Sequence, residues 1–259
     1  MLKKIKNNYL NLIFTFLSGI VILFIVAPII GLYFISTFNG IIETINESEV
    51  QESIWLTLWT SMTGTLLFSI FAIPFAYLLA RKNFMFKNLI NGLIDIPVII
   101  PHTAAGIALL GIINRNTFFG EAAEFFGVKF IGNPIGIILA MSFVSIPFLI
   151  NSARDGFASV PERFEQVALN LGASKLKVFF SISLPLAWRS ILSGLILMWA
   201  RGMSEFGAVM IIAYNPKITP VLIYERFTSF GLKYAIPVTV IFVSICLILF
   251  VLIRLTKKK

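Results

Sequence analysis

Residues 165–185 read EQVALNLGASKLKVFFSISLP and form the longest polar interruption in an otherwise very apolar chain. The residues around the start of this segment place apolar side chains at the helical spacing i, i+3, i+4 and i+7, from Phe164 to Leu171. Gly172 follows at once, and glycine ends helices because it adopts the left-handed conformation without a steric penalty. Ser174 is then placed to cap a second helix. The segment therefore predicts two short helices joined by a glycine turn.

The same segment resembles the EAA loop of permease subunits of ATP-binding-cassette importers. In that family a glutamate and two alanines precede a glycine–alanine pair and then F-x-x-I-x-L-P. The family's glutamate position, six residues before the glycine, holds Gln166, and the acid stands one residue earlier at Glu165. An ordinary cytoplasmic linker is the alternative, but it does not account for six matches at fixed offsets. The resemblance implies contact with an ATPase subunit through Glu165, Gln166, Ala168, Gly172, Ala173, Phe179, Ile182, Leu184 and Pro185.

The composition is that of a membrane protein. Hydrophobic residues make up 58% of the chain and charged residues 13%, against the ~25% charged residues of soluble domains. Six apolar runs approach or exceed the ~20 residues that a helix needs to cross a bilayer. The expected spans are residues 12–36, 54–80, 89–113, 135–150, 190–214 and 235–253, with a coupling loop at 152–188. The prediction is an all-α polytopic membrane protein with a single transmembrane permease domain over residues 1–259.

The basic residues predict the orientation of these spans. With the N-terminus inside, fifteen of the 21 Lys and Arg residues fall in cytoplasmic segments and five in external ones. This bias follows the positive-inside rule and places both termini, including Lys257, Lys258 and Lys259, in the cytoplasm. Residues 165–185 then also lie in the cytoplasm, where contact with an ATPase requires them. Membrane orientation accounts for the net charge of +9, so we expect membrane lipid and no nucleic acid as a partner.

Several classes of chemistry are absent from the sequence. The chain contains no G-x-x-x-x-G-K-[ST] phosphate loop, so ATP and Mg are expected on a separate ATPase subunit, with no cofactor here. One histidine and one cysteine do not provide the ligands of a zinc site. A dyad of Ser204 and His102 would make the chain an intramembrane protease, and a channel or secondary transporter would work without ATP. Neither alternative explains the EAA-like segment, so no catalytic residue is assigned.

A second resemblance narrows the family to the permeases of tungstate and molybdate importers. The residues that carry it are 95–110, DIPVIIPHTAAGIALL, 199–208, WARGMSEFGA, and 220–227, PVLIYERF. The resemblance implies a type I importer permease fold, a homodimer of this chain, two ATPase subunits and an external substrate-binding protein. Permeases for sulfate, thiamine and polyamines share parts of these motifs and remain alternatives. The sequence does not rank tungstate against molybdate.

The broken or charged parts of spans three and five are the candidate translocation pathway. Pro101 is expected to start the second half of a broken span three, which leaves the N–H groups of His102 and Thr103 free to face a passing dianion. Arg201 and Glu205 lie one helical turn apart, and intramembrane charges must pair or face water. A packing role for the histidine and a purely structural role for the charged pair are the alternatives. The pathway or gate is assigned to Pro101, His102, Thr103, Arg201, Ser204 and Glu205.

Overall fold

The computed structural model describes residues 2–256, and within them the chain is helical with no β-strand. Lys257, Lys258 and Lys259, which entered the prediction of orientation, lie outside the described residues. A π-helical turn, Phe179–Ser183, separates α9 from α10. The α-helices are α1 Leu2–Ile35, α2 Phe38–Ile45, α3 Ser48–Arg81, α4 Lys87–Ile99, α5 His102–Ile113, α6 Phe118–Phe125, α7 Pro134–Ser159, α8 Glu162–Asn170, α9 Lys175–Val178, α10 Leu184–Met203, α11 Gly207–Ile212, α12 Thr219–Phe230 and α13 Leu232–Thr256.

Five of these helical stretches are long and apolar enough to cross a membrane, and the bent pair of α4 and α5 makes a sixth. The uninterrupted stretches are Tyr9–Ile35, Ser48–Arg81, Pro134–Ser159, Lys175–Met203 and Leu232–Ile253. An all-helical polytopic fold with up to six spans is therefore confirmed.

Span three is broken at the predicted proline. Helix α4 ends at Ile99, α5 begins at His102, and the two axes meet at 112°. Ile100 is extended, with φ −73° and ψ 150°, as expected for a residue that precedes proline, because the proline ring excludes the helical conformation there. Pro101 itself has no N–H to continue the hydrogen-bond ladder.

The fifth predicted span is interrupted, and the helix of the fourth is longer than its predicted span. The fifth span does not run unbroken over residues 190–214, because α10 ends at Met203 and a separate helix, α11, begins at Gly207. Helix α7 continues beyond the fourth predicted span to Ser159. Its last turns are held by packing: a Cβ added at Gly156 would lie 2.5 Å from the Cβ of Ser190 on α10.

The chain divides into two compact units, one formed by residues 52–221 and the other by the described residues before and after it. In the first unit α7 packs along α10, and a buried apolar cluster around Leu79, Phe157 and Ile191 lies at one end. In the second unit the Tyr33 hydroxyl and the Ser244 hydroxyl are 2.8 Å apart, joining α1 to α13.

Candidate functional site

An open cavity of about 710 Å³ lies where α5 begins and α10 ends. Its lining consists of Ile99, Ile100, Pro101, His102, Thr103, Arg201, Ser204, Phe206 and Gly207. Five of the six residues assigned to a pathway from the sequence are therefore brought to one cavity, although they come from segments about a hundred residues apart. Glu205, the sixth, is fully buried behind them.

Three ionisable side chains meet beside this cavity. Arg201 donates through Nη2 to Oε2 of Glu205 at 2.8 Å, and the same nitrogen lies 2.8 Å from each ring nitrogen of His102. His102 Nδ1 is 3.2 Å from Oε2 of Glu205. The histidine thus contacts the charged pair, rather than the neighbouring carbonyl that a simple packing role would give it. The guanidinium and the imidazole are partly exposed to the cavity, whereas the carboxylate is not.

Glu205 also explains why span five is interrupted. Its Oε1 accepts a hydrogen bond from the backbone N–H of Ala208 at 2.9 Å, which satisfies one of the donors that a helix leaves free at its N-terminus. A carboxylate is also favoured there by the helix dipole. The side chain therefore serves the arginine before the break and the helix after it. The bond from Ala208 depends on the break, because in a continuous helix this N–H would donate to the carbonyl four residues earlier.

Helices α5 and α11 approach each other through glycines. A Cβ added at Gly106 would lie 2.9 Å from Cα of Ala208, and one added at Gly207 would lie 2.9 Å from Cβ of His102. These distances leave no room for a larger side chain. The backbone N–H groups of His102 and Thr103 have no preceding helical turn to bond to, because Pro101 separates them from α4. They lie at the cavity wall, as the sequence predicts.

Ser204 lies directly after the last residue of α10, where the helix stops. Its hydroxyl donates to the carbonyl of Arg201 at 3.0 Å and accepts from Nη1 of Arg201 at 3.2 Å. Both contacts are to the arginine, whereas a serine nucleophile needs a hydrogen bond to its base. The geometry gives Ser204 a place in the arginine's hydrogen bonding and not in a dyad with His102.

The segment over residues 165–185 has the predicted two helices and glycine turn. Gly172 has φ +87°, and its N–H bonds to the carbonyl of Leu169 while the N–H of Ala173 bonds to that of Ala168. This pair of bonds is the Schellman motif, which ends helices at a left-handed glycine. Ser174 accepts from the N–H of Lys177 and caps α9, as predicted.

Glu165 does not point outward from this segment. Its side chain is buried and paired with Arg81. The Nε of Arg81 donates to Oε1 of Glu165 at 2.8 Å, and Nη2 of Arg81 lies 2.7 Å from the same oxygen. The hydroxyl of Ser183 donates to Oε1 at 2.8 Å, and that of Tyr77 donates to Oε2 at 2.9 Å. Burial alone would raise the pKa of the Glu165 carboxyl, but these donors outweigh it and hold the pKa below its ordinary value.

The carboxylate oxygens of Glu165 are therefore engaged within this chain, and contact of Glu165 with an ATPase subunit stays a prediction. Gln166, at the family's usual glutamate position, is exposed. Leu171 is 83% and Leu176 70% exposed, which gives the segment an apolar outer surface beside the glycine turn. By contrast, three residues of the F-x-x-I-x-L-P match are half-buried and attach the segment to the spans: Phe179, Ile182 and Leu184.

Sequence reasoning missed Tyr77, Arg81 and Ser183 as members of the site around Glu165. Arg81 stands at the end of an apolar run, where a basic residue ordinarily marks the cytoplasmic end of a span. Its partner lies 84 positions further along the chain, and no local pattern links the two. Arg81 Nη2 also donates to the carbonyl of Val160 at 3.0 Å, so it joins α3 to the residues on both sides of Pro161.

Comparisons with known proteins indicate the family of the chain. A family model described as the inner membrane component of binding-protein-dependent transport systems matches residues 72–259. The molybdate/tungstate transport system permease protein WtpB of Pyrococcus abyssi is 43% identical over 250 residues, which is 96% of each chain. The protein of the same name from Methanocaldococcus jannaschii is 44% identical over 235 residues, 91% of this chain and 92% of its own.

A solved structure is similar in fold at lower identity. A chain of a bacterial ABC transporter involved in the import of the acidic polysaccharide alginate superposes with a TM-score of 0.76 and 16% identity. The alignment covers 99% of this chain and 97% of that one.

Proposed function

The chain belongs to the family of inner membrane components of binding-protein-dependent transport systems, and we propose that it is the permease subunit of an importer for tungstate and molybdate. The membership and the likeness to the alginate importer confirm the predicted fold of a type I importer permease. The observation that carries the substrate is the 43% identity, over 96% of both chains, to a relative named for molybdate and tungstate transport.

The cavity at the Pro101 break suits the passage of a dianion. Arg201, His102 and the free N–H groups at the start of α5 provide donors for the oxygens of a tetrahedral oxyanion. Glu205 neutralises the arginine, so the cavity does not carry the uncompensated positive charge that would retain a dianion tightly. Weak binding of this kind is what a translocation pathway needs, because the anion must leave as readily as it enters.

In the proposed assembly, two copies of this chain span the cell membrane with both termini in the cytoplasm. Two ATPase subunits bind ATP and Mg, and an external binding protein delivers the oxyanion. The exposed apolar surface of the cytoplasmic segment, with Gln166 and the turn at Gly172, docks the ATPase. The chain itself contributes the pathway and hydrolyses nothing.

The test uses the chain in complex with its ATPase subunit in lipid nanodiscs. ATP hydrolysis is measured with binding protein that carries tungstate, molybdate or sulfate, and with empty binding protein. We expect tungstate and molybdate to stimulate hydrolysis and sulfate to act like the empty protein. Failure of the chain to co-purify an ATPase subunit would contradict the importer assignment, and stimulation by sulfate alone would contradict the substrate.

A further inference from the structure

The site around Glu165 and the cavity around Arg201 lie at opposite ends of the same helix. Ser183, which donates to Glu165 at 2.8 Å, is the last residue of the π-helical turn and directly precedes α10. Arg201 lies in the last turn of α10. The 20 residues of α10 span about 30 Å at 1.5 Å per residue.

Helix α10 is held closely against α7 over this length. A Cβ added at Gly194 would lie 2.8 Å from Cβ of Ser152, and Met198 and Ile191 are fully buried. Closely packed helices move as rigid bodies, because their interiors deform little. A displacement at the Ser183 end of α10 is therefore transmitted to the Arg201 end.

Glu165 ties three elements together at the cytoplasmic end. Its oxygens accept from Arg81 and Tyr77 on α3 and from Ser183 beside α10, while its own backbone belongs to α8. The ring of Tyr77 also packs edge-on against Phe179 with centroids 5.0 Å apart. The carboxylate is 8% exposed as part of its residue, so water does not compete for these bonds.

We propose that Glu165 is a positioning residue that couples the ATPase-docking segment to the gate, which consists of Arg201 and His102 beside the cavity. When α8 moves, the carboxylate of Glu165 moves with it and displaces Arg81 and Ser183, to which it is hydrogen-bonded. Ser183 directly precedes α10, so α10 shifts and moves Arg201 relative to His102. This inference rests on the proposed function, which supplies the ATPase subunit and the direction of transport. It differs from a docking role, because the carboxylate oxygens are buried and bonded within this chain and its loss leaves the outer surface of the segment unchanged.

The experiment follows the gate directly. Ile99 lines the cavity and is exposed, so Ile99→Cys in a Cys246→Ser background reports accessibility through its rate of labelling by a thiol reagent. In the complex with the ATPase subunit, a non-hydrolysable ATP analogue should change that rate by at least about fivefold, the lower end of coupling between distant sites. Glu165→Gln should abolish the change while retaining the ATPase subunit.

Two further variants separate coupling from folding. Ser183→Ala removes only the bond to the start of α10 and leaves the Arg81 pair, so it should reduce the nucleotide-dependent change without reducing assembly. Glu162→Gln makes the same chemical change at an exposed carboxylate of α8 and should behave like the wild type. A nucleotide-dependent change of wild-type size in Glu165→Gln, loss of the ATPase subunit from an otherwise folded Glu165→Gln, or an unchanged rate in the wild type would each overturn the proposal.

These outcomes are distinct from failure of the proposed function. The labelling assay contains no oxyanion and no binding protein, so it reports the mechanical link alone. A complex that passes the labelling test but ignores tungstate and molybdate would refute the substrate and leave the role of Glu165 intact.

Discussion

Replacing Arg201 by methionine tests how the charges beside the cavity are held. Methionine keeps much of the length and apolar volume of the arginine stem and removes the guanidinium. Glu205 then loses its partner at 2.8 Å and keeps the N–H of Ala208 at 2.9 Å and the ring of His102 at 3.2 Å. Because its side chain has no exposed surface, water does not replace the lost donor.

The cost follows from that burial. Breaking a buried ion pair by removing one partner destabilises proteins by ~3–5 kcal/mol, and a lone charge at the centre of a membrane helix costs ~2.5–3.5 kcal/mol on insertion scales. The two remaining contacts of Glu205 favour the lower part of these ranges. We expect Arg201→Met to destabilise the fold by about 3 kcal/mol, which is about two orders of magnitude in the folded fraction.

Expression level and thermal unfolding in detergent measure this cost, and the double variant Arg201→Met/Glu205→Gln isolates the pair. The double variant removes both charges, so it should recover most of the lost stability and part of the tungstate-stimulated ATP hydrolysis. If the double variant assembles normally but transports no anion, the role of the pair is not purely structural, and Arg201 or Glu205 acts directly on the anion. If the single variant is as stable as the wild type, the reasoning from burial is wrong.

Three other predictions concern single features of the fold. Gly172→Leu should reduce co-purification of the ATPase subunit without affecting membrane insertion, because a side chain at φ +87° costs roughly 1–2 kcal/mol and disturbs the turn; full retention of the subunit would refute it. Gly207→Val should lower the yield of folded protein, because its Cβ would lie 2.9 Å from that of His102; wild-type yield and melting temperature would count against the close packing. The pKa of Glu165 is lowered from 4.5, so its contacts should stabilise the protein above that pH and lose their contribution as the pH falls through the lowered value. The difference in Tm between wild type and Glu165→Gln should therefore shrink on acidification, and a difference that grows would contradict this.

Features fixed by backbone chemistry could be predicted from the sequence. The break at Pro101 follows from the missing N–H and the extended residue before it, and the turn at Gly172 follows from the left-handed conformation that glycine alone adopts cheaply. Both depend on neighbours within a few positions. The spans likewise follow from local composition.

Features fixed by tertiary contacts could not be predicted. The end of α10 at Met203 could not be predicted, because the turn is stabilised by Glu205 bonding forward to Ala208 and by the packing of Gly207 against His102. The burial of Glu165 depends on its pair with Arg81, and the two residues lie too far apart in the sequence for a local pattern to indicate that pair. A basic residue at the end of a span indicates topology, and its second role appears only when the helices are assembled.

The most direct test of the account is uptake of tungstate into proteoliposomes that contain this chain and its ATPase subunit. The binding protein is added outside and ATP is enclosed within. We predict accumulation of tungstate and of molybdate that requires both ATP and the binding protein, and that the two anions compete. Accumulation without ATP, or ATP hydrolysis stimulated by the loaded binding protein with no anion inside the vesicles, would contradict the assignment of this chain as the translocation pathway.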